Sequence, residues 1–178
     1  MGTIKIPDTV ILIMGLLYGD DEVGEQTEKI LTKKWGPFAR VSSVYPFDYT
    51  DYYNAELGDS IKRKYCSFER LIKKDTLAKI KRTTNDIEKR YAESGKRRIN
   101  IDPGYIDLSK LVLASTKDYS HRVHIGGGIY AEVTLSFQKE GFTVLPWTYP
   151  DYKSEKTVLF FNTIRNDYHA IMKSRKRN

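Results

Sequence analysis

The residues best equipped for chemistry crowd into one stretch of the chain. Asp102 opens it, Ser115, Thr116, Lys117, Asp118, His121 and Arg122 follow, and Glu132 closes it. Asp102, Lys117, Asp118, His121 and Glu132 are the candidate catalytic groups. General acid–base work needs titratable groups of different pKa close together. The carboxylates also suit a divalent ion such as magnesium, which takes oxygen ligands. Lys117, His121 and Arg122 would hold an anionic group, phosphate or carboxylate, through donors in a dry place. Tyr49, Tyr52 and Trp147 would wall the cleft, each with an apolar body and a polar tip. Ser115, Thr116 and Tyr130 add hydroxyls, so the candidate ligand-binding set is Tyr49, Tyr52, Ser115, Thr116, Arg122, Tyr130 and Trp147. No nucleophile–base pair shows a recognisable spacing. His121 and His124 lie three apart on an expected strand, so they point to opposite faces and make a poor metal pair.

Asp102 sits in Ile101-Asp102-Pro103-Gly104-Tyr105. Ile99 and Ile101 alternate with Asn100 and Asp102, the period of a half-buried strand. Pro103 fixes its own φ and keeps Asp102 extended, and Gly104 suits the third position of a type II turn. The expectation is a strand ending in a rigid turn with Asp102 at the corner. The plainer reading is that Asp102 accepts turn amides and nothing more.

The elements around it read as follows. Thr9 to Tyr18 is apolar without alternation, a strand buried on both faces. An acidic residue of Gly19-Asp20-Asp21 caps a helix that Gly36-Pro37 ends. Arg40 to Pro46 and Ile61 to Ile72 are strands, separated by a Tyr- and Asp-rich loop at 47–53. Thr76 to Ser94 is a helix capped by Asp75 and ended by Gly95, with Leu77, Ile80, Thr84, Ile87 and Tyr91 inward. Lys81, Asn85 and Glu88 line one edge of that apolar stripe, either reaching a cleft or forming a solvated flank. Leu111 to Thr116 is a strand. A hairpin of 122–125 and 129–137 closes on three glycines, placing Ile125 opposite Ile129, His124 opposite Tyr130 and Arg122 opposite Glu132. Val123, Ile125, Ala131, Val133 and Leu135 form its core face. Leu145 to Tyr152 is an aromatic, proline-braced loop, and Ser154 caps a last helix. The fold class is α+β: a mixed or antiparallel sheet of five to seven strands with a ferredoxin-like βαββαβ start, then a hairpin and a helix.

Length fits one domain, 1–178, with the basic end 173–178 frayed. One cysteine, Cys66, excludes an internal disulfide and a cysteine zinc cluster, and a reducing compartment fits. The longest apolar run is too short to cross a bilayer, and no signal-peptide pattern opens the chain. A soluble cytoplasmic protein without a membrane partner is expected. The net charge of +7 is uneven. Residues 62–98 carry fourteen Lys/Arg against five Asp/Glu, a candidate footprint for nucleic acid. Yet tyrosines and cations do not interleave on one strand face, and no RNP-type motif is present.

Five stretches, Phe47–Tyr53, Asn100–Tyr105, Lys110–Arg122, Ile129–Leu135 and Leu145–Tyr152, together resemble a prokaryotic domain-of-unknown-function family with an I-D-P-G-Y motif. The likeness runs over nearly the whole chain. It implies a small prokaryotic protein without an assigned activity. Some members carry a GTP-binding label; this sequence has none of the guanine-nucleotide motifs, and the label is not carried over. The leading functional expectation is a binding or enzymatic domain whose cleft, near Asp102 and residues 115–132, takes a small anionic ligand. The alternatives are a nucleic-acid-binding protein using 62–98 and a non-catalytic protein-interaction domain.

Overall fold

A computed structural model describes residues 2–175. Nine strands form one open antiparallel sheet: β1 (Val10–Tyr18), β2 (Phe38–Val41), β3 (Tyr45–Pro46), β4 (Lys62–Ile72), β5 (Ile99–Ile106), β6 (Lys110–Ser115), β7 (Val123–Gly126), β8 (Ile129–Gln138) and β9 (Gly141–Val144). The helices are α1 (Asp21–Trp35), α2 (Asn54–Leu57), α3 (Leu77–Arg90), α4 (Pro150–Lys153) and α5 (Glu155–Arg175). The spatial order is β2-β4-β1-β5-β6-β8-β7, with β3 on β4 and β9 on β8. β4 thus lies between β2 and β1, and β1 between β4 and β5. Each helical crossover spans one inserted strand, the split βαβ arrangement expected of a ferredoxin-like start.

β1 is the centre, and all nine of its residues are buried. Leu12, Met14, Leu16 and Tyr18 share one core with Val23 and Leu31 of α1 and Ile80 and Ile87 of α3. Ile11 and Ile13 belong to a second core with Phe161, Ile164 and Tyr168 of α5. Helices therefore cover both faces, which is why β1 reads as a continuous apolar run. Asp20 caps α1 by accepting from the Glu22 and Val23 amides, and Gly36 follows its last turn. The Ser154 carbonyl accepts from the Thr157 and Val158 amides, starting α5 as expected of a cap.

Several expectations are corrected. The strand expected over Arg40–Pro46 is two short ones, β2 and β3. α3 ends at Arg90, and Asp75 lies in a 3₁₀ turn without capping it. Ser94 and Gly95 have positive φ between bridged Glu93 and Lys96, so Gly95 shapes a tight turn rather than a helix end. In the hairpin a bulge puts Gly126, not Ile125, opposite Ile129. Val123 and Ile125 are exposed rather than core, because β7 ends the sheet order. The helix α5 runs through Arg175, so residues 173–175 are not a frayed tail. The last three residues of the expected frayed end lie outside the described residues.

The largest correction concerns Pro103-Gly104. There is no turn; β5 runs straight through both residues, and Gly104 has no positive φ. The pairing of Met14 with Pro103 and Ile13 with Gly104 holds the segment extended against β1. Proline is tolerated in this interior strand because pairing with β6 begins only at Gly104. The Ile101 amide and carbonyl bond α3 side chains, so they point away from β1. Pro103, two residues on, points the same way, toward a side where no ladder bond is asked of it. Gly104 supplies room instead of a special φ. A Cβ there would lie 2.3 Å from the Val112 carbonyl oxygen and 2.7 Å from Leu113 Cδ2.

Candidate functional site

Because β5 and β6 pair only over Gly104–Ile106 with Leu111–Leu113, the sheet splits beyond that point. A cleft of about 970 Å³ opens beside the split, bordered by Asn100 and Asp102 on one bank and Ala114 to Asp118 on the other. The volume suits a small organic ligand. Helix α3 stands behind the gap and takes the place of the missing strand. Lys81 Nζ donates to the Ile101 carbonyl at 2.8 Å, and the Glu88 carboxylate accepts the Ile101 amide at 2.7 Å. Both side chains are buried. The polar row Lys81, Asn85 and Glu88 therefore lines the cleft.

The floor is built around Arg63, which comes from β4. In register, Gly15 of β1 lies between Tyr65 of β4 and Asp102 of β5. With no side chain at Gly15, Arg63 crosses β1 to reach Asp102. A Cβ at Gly15 would sit 2.8 Å from both Arg63 Nη1 and the Tyr152 hydroxyl oxygen. Arg63 Nη1 donates to Asp102 at 3.1 Å, and its Nε donates to Asp151 at 2.8 Å. The Tyr65 hydroxyl donates to the same Asp151 oxygen at 3.0 Å. The guanidinium also lies 5.2–5.6 Å from the ring centres of Phe47, Tyr65 and Tyr152. A charge this buried persists only with such partners.

Asp102 accepts from Asn100 Nδ2 at 3.0 Å, and Asn100 Oδ1 accepts from Arg97 at 2.9 Å. Its side chain keeps 24% of its surface open. Burial works to raise the Asp102 carboxyl, but the Arg63 and Lys81 charges and the Asn100 and Arg63 hydrogen bonds outweigh it and hold it below its ordinary value. Burial instead prevails at Glu88 and raises it, against the Lys81 charge and the Ile101 amide. The lowered Asp102 carries a pH consequence. Its stabilising contribution is complete above pH ~4 and is lost as pH falls through its folded value, because the unfolded chain binds the proton more readily. Asp102→Asn is expected to flatten the acid limb of a plot of Tm against pH, as thermal unfolding at pH 2–6 would show.

Nine of the twelve expected site residues border the cleft: Asp102, Lys117, Asp118, Glu132, Tyr49, Tyr52, Ser115, Thr116 and Arg122. His121, Tyr130 and Trp147 do not. His121 stands behind Glu132 at 3.1 Å and stacks on Trp147, whose indole donates to the Val133 carbonyl. Tyr130 pairs with Ser115 and packs its ring against His124. Arg122 and Glu132 meet at 2.7 Å, the cross-strand pair expected of the hairpin. Both are already committed. Arg122 also donates to Ser115, the Lys117 carbonyl and the Tyr149 hydroxyl, while Glu132 also accepts from Thr134. They tie the hairpin to the cleft bank. Lys117 lies at the exposed rim, 4.6 Å above the Tyr52 ring, and donates to the Tyr52 hydroxyl.

Arg63, Asp151, Tyr152 and Arg97 are cleft residues that sequence reasoning did not select. Arg63 lay hidden among the basic residues of 62–98, and only its place two residues before Tyr65 on one strand face hinted at burial. Among the described residues, seven of the fourteen cations of that segment are in ion pairs: Lys62, Arg63, Lys64, Lys74, Lys89, Arg97 and Arg98. Much of the apparent basic footprint is thus internal neutralisation. Among the described residues, no group of three or more His, Cys, Asp or Glu side chains is placed to hold a metal ion. None of the described helices is long and apolar enough to cross a membrane.

Residues 8–168 match the family described as Domain of unknown function (DUF4416). The chain belongs to this family. No curated protein and no solved structure matches it. Membership in DUF4416 agrees with the resemblance to a family without an assigned activity, and the match takes in every strand of the sheet and all the residues that border the cleft.

Proposed function

We propose that this protein binds a small anionic molecule, phosphate- or carboxylate-bearing, in the cleft beside the β5–β6 split. The observation that carries the reading is the balance of uncommitted charge. The buried carboxylates are occupied: Asp102 and Asp151 by Arg63, Glu132 by Arg122 and His121, and Glu88 by the Ile101 amide. The uncommitted charges include two ammonium groups. Lys81 is buried, with the Ile101 carbonyl as its hydrogen-bond acceptor and no carboxylate within 4.0 Å among the described residues. Among the described residues Lys117 donates only to the Tyr52 hydroxyl. An ammonium carries three donors, so both have donors to spend on an anion. Asp118 is the one rim carboxylate without an ion pair among the described residues, and it is exposed, where water screens it. Tyr49, Tyr52, Tyr53 and Tyr149 supply amphipathic walls.

Titration calorimetry with inorganic phosphate and with glucose 6-phosphate, at constant ionic strength set with chloride, tests this. Both probes are expected to bind, and Lys81→Met and Lys117→Ala each to weaken binding about tenfold or more, the worth of a charged hydrogen bond. Equal affinity in wild type and both folded variants, or no heat with either probe at millimolar concentration, would reject the anionic-ligand reading.

A further inference from the structure

The cleft floor holds a feature that an anion-binding reading leaves unused. Tyr152 is 1% exposed and borders the cleft, and among the described residues its hydroxyl has no hydrogen-bond partner. A buried hydroxyl left unpaired costs stability. The ring is held firmly: it stacks on Phe161 at 5.6 Å and 8°, and meets Tyr65 edge-on at 5.2 Å. The hydroxyl is therefore fixed in place, beside the point over Gly15 that Arg63 Nη1 also approaches. Arg63 Nη1 in turn touches Asp102, whose carboxylate is partly open to the cleft.

We infer that the Tyr152 hydroxyl and the Asp102 carboxylate form a subsite for a neutral hydroxyl group of the ligand, making the ligand a hydroxylated anion of the sugar-phosphate or sugar-acid class. This rests on the anionic-ligand reading. The charges at the floor decide the group. An ammonium there would face Arg63 and Lys81, and a second carboxylate or phosphate would face Asp102 and Asp151. A neutral hydroxyl meets neither penalty. A hydroxyl can both donate to a carboxylate such as Asp102 and accept from a phenol such as Tyr152. Asn100 is turned toward Asp102 and Arg97, donating to the first and accepting from the second. The tyrosine-rich wall, with flat apolar faces and polar tips, suits a sugar ring of mixed polarity.

The test compares glucose 6-phosphate with n-hexyl phosphate, two phosphate monoesters of similar length of which only the first carries hydroxyls. Wild type is expected to prefer glucose 6-phosphate by about tenfold, and Tyr152→Phe and Asp102→Asn to erase that preference while retaining n-hexyl phosphate binding. Tyr152→Phe is also expected to keep or raise the unliganded Tm, because it removes a hydroxyl without a partner. Equal binding of the two probes by wild type would overturn the hydroxyl subsite and leave the anion reading standing. A fall of several degrees in Tm for Tyr152→Phe would overturn it too, by showing that the hydroxyl already has a structural partner. Binding of neither probe would remove both readings, and the phosphate titration above identifies that failure separately.

Discussion

Arg63→Met is expected to destabilise the protein by about 4 kcal/mol, because it removes one partner of a buried charge cluster and leaves the others uncompensated. Asp151 is buried and would keep only the Tyr65 hydroxyl, while Asp102 would keep Asn100. Methionine fills most of the apolar space among Phe47, Tyr65 and Tyr152, so the loss is electrostatic rather than a cavity. At this size the change corresponds to a fall in Tm on the order of 10 °C. The double variant Arg63→Met/Asp151→Asn is expected to recover about 2 kcal/mol, since the stranded carboxylate is neutralised. Urea unfolding of the two single variants and the double variant measures both quantities. Additive losses would mean that Arg63 acts through packing alone.

Gly104→Ala is expected to cost about 3 kcal/mol, the upper part of the usual range for forcing an extra methyl into a packed site. The obstacle is backbone: the new Cβ would meet the Val112 carbonyl oxygen at 2.3 Å, and no side-chain rotation relieves that. β6 must move away from β5 just where their short pairing begins. The split that borders the cleft would lengthen, and the Gly104–Ile106 and Leu111–Leu113 amides should exchange hydrogen faster than those of β1 and β4. Native-state hydrogen exchange with a Tm measurement checks this. Unchanged protection across β5–β6 would show that the strands can absorb the methyl.

These two residues also mark where sequence and tertiary structure divide the work. Local pattern determined the strands and helices well. The uniform apolar run of β1 required cover on both faces, Asp20 marked a helix start through its own side chain, and the order of elements carried the ferredoxin-like start. The same logic placed Arg122 opposite Glu132, because hairpin register follows from a short loop. Seven cleft residues lie in the polar cluster at 102–132, and Tyr49 and Tyr52 in the tyrosine-rich loop.

What only the tertiary structure decided involves partners distant in sequence. Pro103-Gly104 reads as a turn to its neighbours, yet β1 holds it extended and Val112 requires the glycine for space. Arg63 and Asp151 are 88 residues apart, and nothing local marks either as half of an ion pair. Lys81 looks like any polar flank of a helix until β5 and β6 part and leave the Ile101 backbone for it to satisfy. Secondary structure follows from forces between near neighbours, which the sequence displays. A site made by splitting a sheet and burying charge in the gap depends on which strands meet, and long-range packing alone sets that.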